Sequence, residues 1–79
     1  MGSKAYILIE TAVGQTSAVA EQLRTLATVE SVDTVTGPFD IIAVVAGEDL
    51  ESVGNMVTNN VHSINGISHT LTCLILGGV

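Results

Sequence analysis

Several residue types that carry function in small proteins are nearly missing from this sequence. It has no tryptophan, one phenylalanine, one tyrosine and only two basic residues, Lys4 and Arg24, against eight acidic ones, for a formal net charge of −6. Because a phosphate backbone is bound by clustered lysine and arginine side chains, nucleic acid is not expected as a direct partner. Hydrophobic residues still make up 47% of the chain, and they are mainly aliphatic. This composition favours strands packed on short helices.

Cysteine and long apolar runs are also scarce. Cys73 is the only cysteine, which excludes a disulfide within the chain, and its apolar neighbours favour the role of a small hydrophobic residue. We therefore expect a reducing, cytoplasmic environment. No stretch approaches the roughly 20 apolar residues that span a bilayer, and the start does not resemble a signal peptide, so no membrane partner is expected. Residues 1–3 are native or left by cloning, and they are assigned no functional role.

Residues that usually carry catalysis are equally few. His62, His69 and Cys73 do not have the close spacing of a zinc or haem motif, so neither a metal nor another cofactor is expected. Gly77 and Gly78 lack the helix and the lysine that a phosphate-binding loop requires. No sequence motif indicates a nucleophilic side chain activated by a neighbouring base. These absences indicate a module without catalytic machinery.

The length allows one domain, which we assign to residues 1–79. A chain this short buries only about 60% of the surface that its unfolded form exposes. Its core is therefore marginal in isolation, and association with further copies would stabilise it.

Four runs rich in aliphatic and β-branched residues predict strands. Residues 5–11 and 41–46 are apolar on both faces, as in strands that are covered on both sides. Residues 67–76 alternate regularly, and residues 29–36 form a strand with one polar face and a valine spacing that suggests a bulge. A turn at residues 37–38 joins two of these strands into a hairpin.

Two further segments have helical periodicity. Residues 15–27 place Val19, Leu23 and Leu26 on one side of a helix. A second helix is predicted to begin after Asp49, whose carboxylate is a suitable N-cap. The buried stripe predicted for this helix consists of Leu50, Val53, Val57 and Val61.

The resulting order β-α-β-β-α-β is the split βαβ arrangement of ferredoxin-like domains, an α+β class. Right-handed connections place both helices on one face of a four-stranded antiparallel sheet. The other face is then bare, although several strands offer it apolar residues. We therefore expect two copies to pack sheet against sheet into a dimeric α/β barrel.

Two polar clusters, residues 36–40 and residues 70–72, suit an α-amino acid. The carboxylate of Asp40 beside the open backbone of Gly37 could bind an ammonium group, and the hydroxyls of Thr70 and Thr72 could bind a carboxylate. The structural alternative is a turn glycine, an aspartate that bonds its own backbone and two strand-forming threonines. On composition alone, the structural alternative is favoured over ligand binding.

The segments V-T-G-P-F-D-I-I (residues 35–42) and G-I-S-H-T-L-T-C-L-I-L (residues 66–76) resemble the effector-binding domain of the leucine-responsive regulator/AsnC family, also called the RAM domain. The likeness extends over residues 5–76. It implies dimers that pack through their sheets and assemble into rings, commonly octamers or decamers, with amino acid effectors bound between dimers. By motif position, the resemblance also implies that one side of that site is formed by Gly37, Phe39 and Asp40. Thr70 and Thr72 would face that side, and in one possible arrangement they belong to a neighbouring dimer.

The sequence departs from full-length members of that family, because it has no helix-turn-helix segment. Pro38 also removes a backbone donor from the hairpin, so its ligand preference is expected to differ. We expect a stand-alone module that binds an amino acid and acts alone or with a full-length regulator. One alternative is a small dimeric α/β-barrel enzyme, a cofactor-free monooxygenase or isomerase, with His69 as acid or base. Another is a pure assembly partner that binds no small molecule. An ACT-type regulatory domain shares the strand order and the amino acid ligands, so it is the domain type most easily confused with this one.

Overall fold

The computed structural model describes residues 2–77, which form one sheet with helices packed against it. The spatial order of the strands is β2-β3-β1-β4, and every neighbouring pair is antiparallel. The predicted ferredoxin-like order is thereby confirmed. The elements are β1 (Ser3–Thr11), α1 (Thr16–Arg24), β2 (Val29–Thr34), β3 (Ile41–Gly47), α2 (Leu50–Met56), a π-helix (Val57–Val61) and β4 (Ile67–Leu74).

Strand register decides which side chains face the helices. Ile7 on β1 lies opposite Ala43 on β3 and Thr72 on β4. Because side chains alternate along a strand, every second residue from these positions shares the same face. The buried strand residues Ala5, Ile7, Ile9, Ile41, Ala43 and Val45 all belong to this helix-facing side.

The helices complete a single aliphatic core. Helix α1 buries Val19 and Leu23, as its sequence periodicity predicted, and it also buries Ala20. The third predicted residue, Leu26, is partly buried and packs on the edge of the core. Backbone hydrogen bonds of the i to i+3 type, such as Leu26 N to Leu23 O (3.1 Å), tighten the chain after Arg24 and end this helix earlier than predicted. Helix α2 and the π-helix add Val53, Met56, Val57 and Val61.

The second predicted helix differs from its prediction in two respects. After Met56 the chain continues as a π-helix, in which His62 N donates to Val57 O at 3.0 Å. Valines spaced by four drift around an α-helix of about 3.6 residues per turn, and the wider turn returns Val61 to the core. Leu50, predicted to be buried, is 53% exposed.

The strand ends also differ slightly from expectation. Strand β2 ends at Thr34, and its register with β3 shifts between Val29 and Ser31, which confirms the suggested bulge. Strand β4 ends at Leu74, although Ile75 N still donates to Lys4 O at 2.9 Å. These shorter bounds leave the predicted topology unchanged.

Asp49 is the N-cap of α2, as predicted. Its Oδ1 accepts a hydrogen bond from Ser52 N at 2.8 Å. The backbone hydrogen bond from Ser52, followed by a side-chain hydrogen bond from the same residue, lowers the pKa of the Asp49 carboxyl below its ordinary value. The ionised form is therefore stabilised by folding.

We expect Asp49→Asn to make unfolding less sensitive to acid. A carboxyl whose pKa is lower in the folded state stabilises fully above its unfolded pKa of about 3.9, and that contribution is lost as the pH falls through the folded pKa. Asparagine also caps helices but does not titrate. The loss of Tm between about pH 7 and pH 3, measured by circular dichroism, should be smaller in the variant. Glu51→Gln is the matched control, and an equal loss in Asp49→Asn and wild type would contradict the prediction.

Candidate functional site

The loop between β2 and β3 carries the first half of the predicted site. Gly37 has a φ of 125°, a conformation that residues with a side chain rarely adopt. No atom lies within 4 Å of the position that its Cβ would take, so its backbone is open to close approach. Phe39 is half-buried beside it, and Val35 N closes the loop by donating to Asp40 O at 2.9 Å.

Asp40 ties this loop to the end of β1. Its Oδ2 accepts hydrogen bonds from Thr11 N (2.8 Å) and Thr11 Oγ1 (3.2 Å). The Thr11 hydroxyl also lies 2.7 Å from Thr16 Oγ1, at the start of α1. The structural role of Asp40 is thus a long-range one and differs from the local turn contact considered from sequence. Within residues 2–77 no hydrogen bond reaches its Oδ1, which leaves an acceptor available.

Thr70 and Thr72 lie together on the helix-facing side of β4, as the sequence predicted. Thr70 is opposite Ile9 and Thr72 is opposite Ile7. Strand β4 is an edge strand, and the helices do not cover it completely. Thr70 is half-buried and Thr72 is exposed, so both hydroxyls lie where a ligand could reach them.

One copy of the chain does not bring the two clusters together. Strand β1 runs between β3, which begins beside Asp40, and β4, which carries the threonines. Neighbouring strands are about 4.8 Å apart, so strands on either side of β1 are separated by roughly 10 Å. Five depressions on the described surface include neither Gly37 nor Asp40. In one copy the two clusters therefore lie on opposite sides of β1.

His62 joins the second cluster, although its sequence context suggested no role for it beyond a candidate metal ligand. Its Nε2 lies 2.8 Å from Thr70 Oγ1, at the point where the π-helix ends. π-helical turns occur frequently at functional sites. The available sequence signal was the short connection between Val61 and Ile67, which keeps the helix end close to the start of β4.

Two grooves meet at His62. The first, of about 300 Å³, is lined by polar residues that include His69 and Thr70. The second, of about 390 Å³, runs between α2 and β4, has mainly apolar walls and includes Thr72. His62 lines both grooves, and each groove also includes one of the two threonines.

The centre of the opposite side of the sheet is apolar and is not covered by the helices. Its residues pair across the strands, with Leu8 opposite both Ile42 and Leu71. Tyr6 and Leu71 are 46% and 49% exposed, although both have apolar neighbours. This surface, the bare face, consists of Tyr6, Leu8, Ile42, Val44, Leu71 and Cys73.

The remaining polar groups of residues 2–77 form isolated contacts rather than a second cluster. His69 is exposed and lies opposite Glu10, at one end of the bare face. Lys4 pairs with Glu30 at 2.9 Å, and the Arg24 guanidinium donates to Val32 O at 3.4 Å. In residues 2–77 there is no cluster of three potential metal ligands, and none of the described helices is long and apolar enough to cross a membrane.

Comparison with known proteins identifies the family that this chain matches. A family model described as the Lrp/AsnC ligand binding domain matches residues 4–79. The crystal structure of TTHA0845 from Thermus thermophilus is 31% identical, with a TM-score of 0.91 over 98% of this chain and 96% of that one. No curated protein sequence gives a significant match.

Two longer regulators share the fold at lower identity. AsnC from E. coli is 19% identical, with a TM-score of 0.90 over 96% of this chain and 52% of its own. The transcriptional regulator NMB0573 from Neisseria meningitidis, solved as a complex with L-Met, is 18% identical, with a TM-score of 0.87 over 98% and 51%. The resemblance seen in the two sequence motifs is confirmed by the family match over nearly the whole chain. The chain belongs to the family of Lrp/AsnC ligand-binding domains.

Proposed function

We propose that the protein is a regulatory module that binds an amino acid and works as an oligomer. Membership of the family supports an effector-binding role. The observation that carries the proposal is the separation of two complementary polar half-sites by β1. One half-site is the hairpin with Gly37, Phe39 and Asp40, and the other is the pair Thr70 and Thr72.

The two half-sites match the two charged groups of an amino acid. The ammonium group would donate to Asp40 Oδ1 and to the carbonyl oxygens around Gly37, whereas the carboxylate would accept from the hydroxyls of Thr70 and Thr72. Hydrogen bonds between charged groups are the stronger class, so each half-site contributes to affinity. NMB0573, which shares the fold, was solved with L-Met, a ligand of the same chemical class.

Assembly would bring half-sites from different copies together. The exposed apolar residues of the bare face support dimers that pack sheet against sheet, and a chain of 79 residues gains core by doing so. Dimers arranged in a ring, an octamer or a decamer, would then set the hairpin of one dimer against β4 of the next. The effector would therefore bind between dimers and couple its binding to assembly.

The regulatory output would come from association with a full-length regulator of the same family. The 79 residues carry only two basic side chains, so this segment is proposed to bind the effector and the partner rather than nucleic acid. TTHA0845 is matched over 96% of its own length, which supports the existence of family chains of this size. The exposed thiol of Cys73 favours a reducing compartment, and we propose the cytoplasm.

The correct amino acid should raise the melting temperature substantially. A ligand at 100 times its Kd stabilises the folded state by about 2.7 kcal/mol, which for a domain of this size corresponds to roughly 10 °C or more. A thermal-shift screen of the twenty amino acids at fixed protein concentration measures this effect. Calorimetry on the strongest candidates then gives Kd. A screen in which no amino acid raises Tm would contradict the proposal.

Asp40→Asn tests the ammonium half-site. Asparagine keeps an oxygen that can accept from Thr11 N, so the fold is retained, but it removes the charge that attracts the ammonium group. The Kd for the effector should rise by about tenfold or more, because a hydrogen bond between charged groups is lost. Glu21→Gln removes the same charge from the exposed side of α1 and serves as the control. An unchanged Kd in Asp40→Asn would show that the hairpin is not part of the site.

A further inference from the structure

One hydroxyl of the proposed effector site is already engaged by a histidine. His62 Nε2 lies 2.8 Å from Thr70 Oγ1, and both residues line the same groove of about 300 Å³. Thr70 is half-buried and His62 is exposed, so a ligand can reach the first while solvent protons reach the second. Because a hydroxyl group has a single hydrogen, the direction of this hydrogen bond decides what Thr70 can offer a ligand.

A neutral imidazole at His62 permits both directions. If an unprotonated Nε2 accepts, the hydrogen of the Thr70 hydroxyl is directed at His62 and is not donated to a carboxylate. If Nε2 carries a hydrogen, it donates to Thr70 Oγ1, and the hydroxyl hydrogen is free for a ligand. The imidazolium form carries hydrogen on both ring nitrogens, so it permits only the second direction. Protonation of His62 therefore makes the Thr70 hydrogen available in every molecule.

Positive charge is otherwise absent from this half-site. Lys4 and Arg24 are the only basic residues of the chain, and neither lines a groove at His62. Lys4 pairs with Glu30 at 2.9 Å, at a distance from β4 along the sheet. A carboxylate that loses water without an opposing charge is costly, and hydrogen bonds to charged donors are the stronger class. An imidazolium beside Thr70 would supply the missing charge.

We infer that His62 is a positioning residue that makes effector binding depend on pH. The inference rests on the proposed function, because it takes the carboxylate of the effector as the group that accepts from Thr70. Histidine side chains ordinarily gain their proton as the pH falls from about 8 to about 5. In that range His62 commits to donating to Thr70 and adds a positive charge beside the carboxylate. Both effects tighten effector binding as the pH falls.

The other titratable groups near this pair belong to the other face of the sheet. His69 lines the same groove, but it adjoins Thr70 in β4, so its side chain lies on the opposite face, at the end of the bare face. It is paired there with Glu10 on β1, whose Oε1 accepts from Ser68 Oγ at 3.2 Å. Among residues 2–77, the groove between α2 and β4 has His62 as its one titratable lining residue. A protonated His69 would therefore meet a carboxylate of its own chain.

His62→Gln separates the charge from the hydrogen bond. The amide nitrogen of glutamine takes nearly the place of imidazole Nε2 and can still donate to Thr70, but it does not titrate. Because His62 is exposed, the fold is retained. His69→Gln removes the other imidazole of the same groove and is the matched control.

Calorimetry at about pH 5.5 and about pH 7.5 tests the inference. The twenty amino acids are screened by thermal shift at both values, and the strongest is titrated into wild type and both variants. In wild type and His69→Gln, Kd should be about fivefold or more lower at the acid pH, because a charged donor replaces a neutral one. In His62→Gln, Kd should change by less than about twofold, and this remaining change measures all other titrating groups.

The α-amide of the same amino acid gives a second readout, measured at the acid pH alone. The amide keeps the ammonium group and the side chain but has no carboxylate. Wild type should prefer the amino acid over its amide, and His62→Gln should reduce that preference by about fivefold. An equal preference in both proteins would overturn the inference, because His62 would then act on a group other than the carboxylate.

Three further outcomes are decisive. An equal wild-type Kd at both pH values, or a pH dependence that survives in His62→Gln, would overturn the inference and leave amino acid binding intact. A pH dependence lost in His69→Gln but kept in His62→Gln would do the same, because the effect would then belong to the bare face. A wild type that binds none of the twenty amino acids at either pH would overturn the proposed function as well.

Discussion

Replacing Val44 with aspartate should convert the protein in solution to monomers of 8.1 kDa. Val44 lies at the centre of the bare face, opposite Tyr6 on β1 and Ser31 on β2. In a two-fold interface each substitution occurs twice, so two carboxylates would be buried without partners. A loss of about 4 kcal/mol or more corresponds to a rise in Kd of at least roughly a thousandfold. Light scattering across a range of protein concentrations measures the change.

The control for this experiment is Ala18→Asp, which adds the same charge on the exposed side of α1. That variant should keep the wild-type mass. Far-ultraviolet circular dichroism should show that Val44→Asp remains folded, because Val44 is directed away from the helix-facing core. A folded Val44→Asp that retains the wild-type mass would place the oligomer contact elsewhere on the protein.

The assembly experiment also separates two explanations of effector binding. If the effector lies between dimers, a monomeric Val44→Asp should bind it far more weakly, although Thr70, Thr72 and Asp40 are unchanged in that variant. If a single copy suffices, affinity should survive the loss of assembly. The roughly 10 Å between strands on either side of β1 favours the first outcome.

The fold could be predicted from sequence because its pattern is local and strongly periodic. Strand β1 shows this, since Ile7 and Ile9 belong to the core while Tyr6 and Leu8 form the bare face. Apolar residues on both faces predicted a central strand, and the second face is the surface on which we propose that two copies pack. The run of β-rich apolar residues thus predicted the strand. Its apolar residues on the second face predicted the surface that a dimer would bury.

The second helix shows where periodicity failed. Spacings of three and four identified the buried residues Val53, Val57 and Val61, but they do not define the pitch of the helix. Threonine and asparagine at residues 58–60 have low helical propensity, which leaves the local winding to be set by packing. Leu50 shows a related limit. Periodicity placed it correctly on the same side of the helix as Val53, but it could not show that no other residue covers Leu50, which is 53% exposed.

The candidate site was predictable in its positions but not in its contacts. The sequence placed Gly37 in a turn and the two threonines on one strand face, and the structure agrees. The hydrogen bond from Thr11 to Asp40 joins residues 29 positions apart. Neither turn chemistry nor strand alternation carries information about such long-range pairs. Effector binding at these residues is a prediction that the calorimetry described above will test.

Gly66→Ala should lower the stability of the fold more than a glycine substitution in a loop normally does. Gly66 has a φ of 101°, and an added Cβ would lie 3.0 Å from Gln15 Cβ and 3.0 Å from Val19 Cγ2. Backbone strain of about 1–3 kcal/mol and overpacking of about 1–3 kcal/mol act together. The expected loss of roughly 2–6 kcal/mol lowers Tm by about 10 °C or more, as measured by circular dichroism at fixed concentration.

Gly14→Ala separates the two causes. Gly14 has a φ of 78°, so alanine is strained there too, but no atom lies within 4 Å of the position of its Cβ. We expect a loss of only about 1–2 kcal/mol in this control. Equal losses in both variants would mean that Val19 and Gln15 move aside at no cost. A larger loss at Gly66 would show that close packing of α1 against the start of β4 holds the strand that carries Thr70 and Thr72. Any loosening of that contact should then weaken effector binding as well as stability.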